Sequence, residues 1–408
     1  MKKIAIITGR DPLLRSDIDG AAILVENLVC ALRSKGSAVD IYTPRGYSGT
    51  NSDAKKAAAQ NETVVSLDLH ARVIRFDMPS IPLTTTDDAG KDLFNRVIIS
   101  KSEADFFADR KLFDYDAVFI IHMAHSFGVF ERDLVPTEKT IVFPMLLGSF
   151  YSKYLNVNPA YLDAEKAVFK KAAHVQSPSH SEADELTSVY GSSLNSVFVV
   201  PRGFNPDIFD IQPRFVSQTD PTILCANVVR MQKGQHILVP TAASLRERGF
   251  RAKFQIIGLN GDTYSRGYNK YAEDFSRMIS DASLDDYFEF HPALFQKDLA
   301  RKMSYANLAI YPSVAETFGK AALESMACGI PTFVFDDVPA FGEFMQHDTS
   351  AVIIRRDPFL LASSIIDLWT DPEKYRKISE NGIVAGKSFD WKTVIEQMLK
   401  TIGERLSW

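Results

Sequence analysis

Two glutamates, Glu316 and Glu324, stand with seven residues between them in YPSVAETFGKAALESMACGIP (311–331). Gly319 falls where an apolar-periodic stretch begins, and Gly329 with Pro331 closes it, as helix start and stop rules expect. The free amides of that first helical turn, with the positive end of the helix dipole, make an anion site suited to a diphosphate. Two carboxylates beside a phosphate site repel it unless they accept hydrogen bonds from sugar hydroxyls, and their separation suits two different sugars. The plain alternative is a pair of glutamates facing solvent. Other chemistry is poorly supported. Asp114-Tyr115-Asp116 is formally a DxD metal motif, but it precedes a strand where the metal ligands should follow one, so Asp116 reads as a strand-start residue. Gly319-Lys320 is no phosphate-binding P-loop, because no glycine lies five residues before Gly319 and Ala321 replaces Ser/Thr. The missing GxGxxG after residues 3–8 counts against a dehydrogenase.

These residues need rigid elements to hold them, and the chain supplies short β-branched runs alternating with longer amphipathic ones, the pattern of helices on parallel sheets. The pattern occurs twice. In the first half, KIAIITG (3–9), AVDIYTP (38–44), RVIRF (72–76), DAVFIIH (116–122), KTIVFP (139–144), HVQSP (174–178) and SVFVVP (196–201) read as strands. Residues 20–36 read as a helix with Ile23, Leu24, Leu28 and Leu32 on one face and Gly36 as its C-cap. PRGFNPDIFDIQPR (201–214), with three prolines, breaks the periodicity and reads as a linker. PTILCAN (221–227), FQIIG (254–258), YFEFH (287–291), NLAIYP (307–312), PTFVF (331–335) and AVII (351–354) then restart the alternation, with a helix expected over 233–249. A last apolar-periodic stretch (390–406) follows the second sheet and is expected to cross back to the first domain. Two such domains joined by a hinge are expected to leave a cleft at the carboxyl ends of their sheets.

Composition narrows the function. A chain of 408 residues exceeds a single hydrophobic core, and 46% hydrophobic with 24% charged residues is ordinary for a globular protein. The net charge is −5; residues 1–205 carry 23 basic and 25 acidic side chains (−2) and the remainder 23 and 26 (−3), so neither half is a basic nucleic-acid-binding module. Lys55-Lys56 and Lys170-Lys171 are only pairs, too little for an anionic lipid surface. MKKIAIITG is too short in its apolar run for a signal peptide, and no stretch approaches the length of a membrane helix, so contact with a membrane is expected to be peripheral at most. Cys30, Cys225 and Cys328 are far apart and lack metal-ligand spacing, which points to a reducing, cytoplasmic setting.

The motif PSxxExFGxxxLExMAxG, Pro312 to Gly329, resembles that of the retaining glycosyltransferases of the glycosyltransferase-B fold, family four, and the resemblance extends over essentially the whole chain. It implies two Rossmann-like doubly wound α/β domains. Residues 1–203 would form the acceptor side, with helix 389–408 returning to it; 204–214 would be the linker and 215–388 the domain that binds the nucleotide-sugar donor. By the same resemblance Glu316 would hold hydroxyls of the donor hexose, Phe318 and Gly319 would offer backbone amides, Lys320 would belong to the same donor-binding turn, and Glu324 would bind the nucleotide ribose. NVVRMQKGQ (227–235) matches a diphosphate clamp. Lys233 and Gly234 are kept, but Val228 stands where the family has arginine, and Arg230 is the candidate replacement. The family's glycine-rich first loop corresponds to GRDPLLRSDIDGAA (9–22), in which only Gly20 transfers; Arg10 and Arg15 are acceptor or phosphate contacts or solvated charges. His122 or His125 matches a histidine facing the reacting carbon, and His122 is preferred. Base recognition would use backbone from Phe290 to Leu294. VVPRGFNPDIF (199–209) resembles the family's hinge, with Arg202 in place of asparagine.

The expectation is therefore a retaining transferase that moves a hexose-type sugar from a nucleoside diphosphate to an unidentified acceptor, with no metal and no cofactor. Lys233, Arg230 and the helix N-terminus at 319 would meet the charge of the departing diphosphate. The rivals are a nucleotide-sugar epimerase, a sugar phosphorylase, or a non-catalytic sugar-nucleotide-binding subunit. An epimerase wants acid and base carboxylates around the sugar and a phosphorylase usually wants a lysine-bound pyridoxal phosphate, and neither context is visible.

Overall fold

A computed structural model describes residues 1–9, 20–44, 62–63, 71–76, 89–145, 147–152, 157–191, 197–217, 219–259 and 269–408. The chain divides into two compact units, one comprising Met1–Pro201 with Lys392–Trp408 and the other Arg202–Trp391.

The first unit is built on β1 (Lys3–Thr8), β2 (Ala38–Pro44), β3 (Glu62–Thr63), β4 (Ala71–Phe76), β5 (Ala117–Ile121), β6 (Thr140–Phe143), β7 (His174–Ser177) and β8 (Val197–Val199), in the spatial order β3-β4-β2-β1-β5-β6-β7-β8. All neighbours are parallel except β3, a two-residue edge strand running antiparallel to β4. That edge departs from the wholly parallel sheet expected. β1 and β5 are apolar runs buried almost throughout, as strands covered on both faces must be. The helix Gly20–Ser34 buries Ile23, Leu24, Leu28 and Leu32. Gly36 ends it at φ +78°, with its N–H bonded to the Arg33 carbonyl and that of Ser37 to the Leu32 carbonyl. In the returning C-terminal segment the Trp408 ring stacks on Phe119 with centroids 6.4 Å apart, and the Lys2 ammonium lies 4.9 Å from the same indole.

The second unit carries β9 (Thr222–Ala226), β10 (Lys253–Leu259), β11 (Phe288–Pro292), β12 (Leu308–Ile310), β13 (Thr332–Phe335) and β14 (Val352–Ile354), all parallel, in the order β11-β10-β9-β12-β13-β14. Both sheets grow outward in one direction and then in the other, so the order reverses between β1 and β5 and between β9 and β12. Such a reversal opens a crevice at the carboxyl ends of the two central strands.

Two local expectations shift. The helix expected from residue 233 starts at Leu238 and runs to Glu247, preceded by two short 3₁₀ turns, because Gly234 takes up φ +66°, which a helix cannot contain. The segment 204–214, expected as a linker, is laid down on the second unit. Phe204 and Phe209 are buried there, Phe204 exchanges backbone hydrogen bonds with Phe389 and Trp391, and the Arg214 guanidinium donates to the Ser304 carbonyl at 2.7 Å. Among the described residues no helix is long and apolar enough to cross a membrane.

Candidate functional site

The site assembles where β9 and β12 end side by side. β9 leads into the turn that holds Arg230, Lys233 and Gly234, and β12 leads into the loop that holds Ser313, Glu316 and Gly319. The two loops are pressed together: the Val314 N–H donates to the Gln232 carbonyl at 2.9 Å, and a Cβ placed on Gly234 would lie 2.1 Å from the Pro312 carbonyl oxygen. Glycine is therefore required at 234 for both its φ and this approach. Across the seam Lys233 Nζ donates to Glu316 Oε1 at 2.7 Å, and Ser313 Oγ donates to the same oxygen at 2.6 Å. The lysine and glutamate side chains are 17% and 12% exposed, so each charge relies on the other for stabilisation that water supplies poorly here. Residues 83 positions apart in the chain thus form one ion pair.

The remaining donor-side candidates lie around it. Gly319, at φ +95°, caps the helix Lys320–Ala327, and a Cβ there would meet the Phe341 ring at 2.5 Å. Phe318 packs its ring against Phe344 and Phe389, leaving only its backbone for a ligand. Lys320 and Glu324, one turn apart on this helix, pair through Nζ and Oε1, and the Glu324 side chain is 6% exposed. Glu316 and Glu324 are therefore not solvent-facing carboxylates; each is held by a lysine. Arg230 is half-buried in the turn beside Lys233, its N–H 3.4 Å from Gln235 Oε1, while Gln235 Nε2 donates to the Val228 carbonyl at 2.9 Å. Leu294, after β11, packs partly buried against the apolar cluster beneath the site.

Sequence reasoning passed over two groups at this edge. His236 follows Gly234 with Nδ1 3.1 Å from the Tyr271 hydroxyl; burial, helped by the Arg356 cation, pushes its imidazole below the ordinary range and favours the neutral ring. Arg356, just beyond β14, donates to the carbonyls of Pro312 and Ser313 at 2.7 and 2.6 Å. Its only signal in the sequence is an Arg355-Arg356 pair after an apolar run, which reads as solvated charge.

In the first unit both candidate histidines stand at the carboxyl end of β5. His122 adopts φ 91° and ψ 124°, a conformation that costs a side-chain-bearing residue on the order of 1–3 kcal/mol. Its Nδ1 accepts from the Ala124 N–H at 3.2 Å. His125 is buried, with Nδ1 3.0 Å from the Glu103 carboxylate, a contact that favours the proton on Nδ1. Its Nε2 lies 2.5 Å from where a Cβ on Gly9, the residue after β1, would sit, so a side chain there would displace the imidazole. Gly20 opens the helix Gly20–Ser34, and among the described residues nothing lies within 4 Å of an added Cβ there. Arg10 and Arg15 lie outside the described residues. Asp116 accepts the Lys3 N–H at 2.7 Å at the amino end of β5, the edge opposite the histidines.

Residues 207–384 match the family model described as Glycosyl transferases group 1. The D-inositol 3-phosphate glycosyltransferase of Paenarthrobacter aurescens is 25% identical over 253 residues, 60% of each chain. That of an Arthrobacter species is 30% identical over 176 residues, 41% of each. The chain therefore spans about 60% or less of the length of these two relatives. Among solved structures, sucrose-phosphate synthase from Thermosynechococcus elongatus superposes with a TM-score of 0.80 at 20% identity over the full length of both chains. Anabaena Alr3699/HepE, solved in complex with UDP and glucose, superposes with a TM-score of 0.68 at 17% identity over 99% of this chain and all of that one.

Proposed function

We propose that this chain, whose residues 207–384 match the group 1 glycosyltransferase model and whose fold is shared with sucrose-phosphate synthase, is a group 1 glycosyltransferase that moves a hexose-type sugar from a nucleoside diphosphate to an acceptor hydroxyl with retained anomeric configuration. The observation that carries this reading is the Lys233–Glu316 pair at the β9/β12 reversal, beside a helix that begins at Gly319. In the donor complex the diphosphate takes the Lys233 ammonium and the amides at 319–320, and Glu316, released from its lysine, accepts from hydroxyls of the sugar. Glu324 serves the ribose. The bond from the anomeric carbon to the phosphate oxygen breaks, the bond to the acceptor oxygen forms on the same face, and the acceptor proton passes to the leaving phosphate. Negative charge grows on that phosphate, and preorganised cations and amides in a water-poor site stabilise it most where it grows. Arg230 is the proposed second clamp, and His122 positions the sugar or the acceptor. No residue in this scheme needs a metal or a cofactor.

A thermal-shift panel of UDP, GDP, ADP and TDP identifies the nucleotide, since a ligand raises stability by mass action; the UDP complexes of Alr3699/HepE support starting with UDP. Glu316→Gln is then expected to keep affinity for the free nucleotide and lose turnover, and Glu324→Ala to weaken the nucleotide itself. Parental kinetics in both variants would sink the assignment.

A further inference from the structure

Arg356 occupies an unusual position for a side chain 44 residues beyond the loop it contacts. Its guanidinium lies over the Phe335 ring, Cζ 4.3 Å from the centroid, and forks onto Asp337, Nε to Oδ2 at 2.7 Å and Nη2 to Oδ1 at 2.8 Å. The outer edge of the fork donates to the Pro312 carbonyl at 2.7 Å and the Ser313 carbonyl at 2.6 Å. β12 ends at Ile310, so these carbonyls lie beyond its sheet ladder, where Arg356 donates to both. Ser313 is also the residue whose hydroxyl holds Glu316. Four of the five guanidinium N–H groups are engaged by these bonds, which leaves the group unsuited to clamping a phosphate.

We infer that Arg356, held by Asp337, is a positioning residue that sets the 312–316 loop so that Glu316 meets the sugar end of the donor. The inference rests on the donor-binding reading above. A lysine cannot replace it, because a single ammonium cannot span a carboxylate and two carbonyls in one plane. The cation acts on the loop and through it on Glu316; none of these hydrogen bonds runs to Glu324 or to the helix Lys320–Ala327. The sugar and nucleotide halves of the donor should therefore respond differently to its loss.

The test uses Arg356→Lys and Asp337→Asn in the full chain, with UDP and UDP-glucose as probes in calorimetry and amide hydrogen exchange on the unliganded protein. Loss of charge-assisted hydrogen bonds of this kind should speed exchange across 312–316, Val314 included, by about tenfold or more and weaken UDP-glucose by about tenfold, with UDP changed less than about threefold. In a Glu316→Gln background Arg356→Lys should cost UDP-glucose nothing further. Unchanged exchange, equal losses for UDP and UDP-glucose, or full additivity with Glu316→Gln would each overturn the inference. Asp337→Asn leaves the arginine in place and should shift both readouts in the same direction by less, so it decides the matter if Arg356→Lys fails to fold. If the unaltered protein binds none of the nucleotides, the donor reading fails, and the exchange experiment still tests whether Arg356 sets the loop.

Discussion

Gly234→Ala and Gly249→Ala form a matched pair, because both glycines sit at nearly the same left-handed φ, +66° and +70°, and differ in what surrounds them. A Cβ on Gly249 meets nothing within 4 Å, so alanine there bears only the conformational cost of about 1–2 kcal/mol. The stiffer unfolded chain offsets about 0.4–1 kcal/mol of it. A Cβ on Gly234 falls 2.1 Å from the Pro312 carbonyl oxygen, a backbone atom that Arg356 holds at 2.7 Å and that cannot swing away like a side-chain tip. Forcing the loops apart adds overpacking of about 1–3 kcal/mol. Calorimetric melting should show the second unit losing about 2–4 °C in Gly249→Ala, and at least twice that in Gly234→Ala. Titration with UDP should find Gly249→Ala unchanged and Gly234→Ala about tenfold weaker, about 1.4 kcal/mol, because Lys233 moves with its neighbour. Equal melting losses with equal UDP affinity would refute the close apposition of the two loops and the site built on it.

Lys233→Ala should lower turnover by about a hundredfold or more, the scale of losing one preorganised charge-stabilising group; a comparable loss in Arg230→Ala would show that the arginine has taken over the clamp missing at Val228, and no loss would leave Lys233 alone. Turnover should persist in excess EDTA; complete loss restored by manganese or magnesium would overturn the metal-free scheme. Asp116→Asn, which loosens the hydrogen bond to the Lys3 amide, should cost about 1 kcal/mol of stability by denaturant titration and leave turnover alone. Burial pushes the Glu165 carboxyl up to about 7, although it accepts from the Gly148 and Ser149 amides and from the Tyr190 hydroxyl. A carboxyl with a raised folded-state pKa stabilises fully below its unfolded value and loses that contribution as pH rises through 7, here on the order of 3 kcal/mol. Melting curves of Glu165→Gln should lack that fall between about pH 4 and 7, and an unchanged slope would remove Glu165 as its source.

Much of the architecture is legible in the sequence because its signals are local. Apolar runs such as AVFII (117–121) and the start and stop residues Gly319 and Gly329 act over a few positions, and the structure places a strand and a helix there. The types of the candidate site residues are equally visible, since a lysine-glycine turn and two glutamates around a helix start can be read off the chain wherever they lie. What the sequence does not contain is adjacency. Lys233 meets Glu316 only because β9 and β12 are neighbours in the sheet, and strand order follows from how the helices cover its two faces. The same holds for Arg356, which looks like surface charge until β14 carries it to the Pro312 and Ser313 carbonyls. It holds again for His125, whose burial between Glu103 and Gly9 depends on β1 lying beside β5. The segment 204–214 shows the same limit: its prolines report a break in periodicity, whereas where it lies depends on the apolar surface that receives Phe204 and Phe209. Local sequence chooses the elements and the chemistry of their ends; long-range packing alone decides which ends face one another, because burial energy is summed over surfaces that residues distant in the chain share.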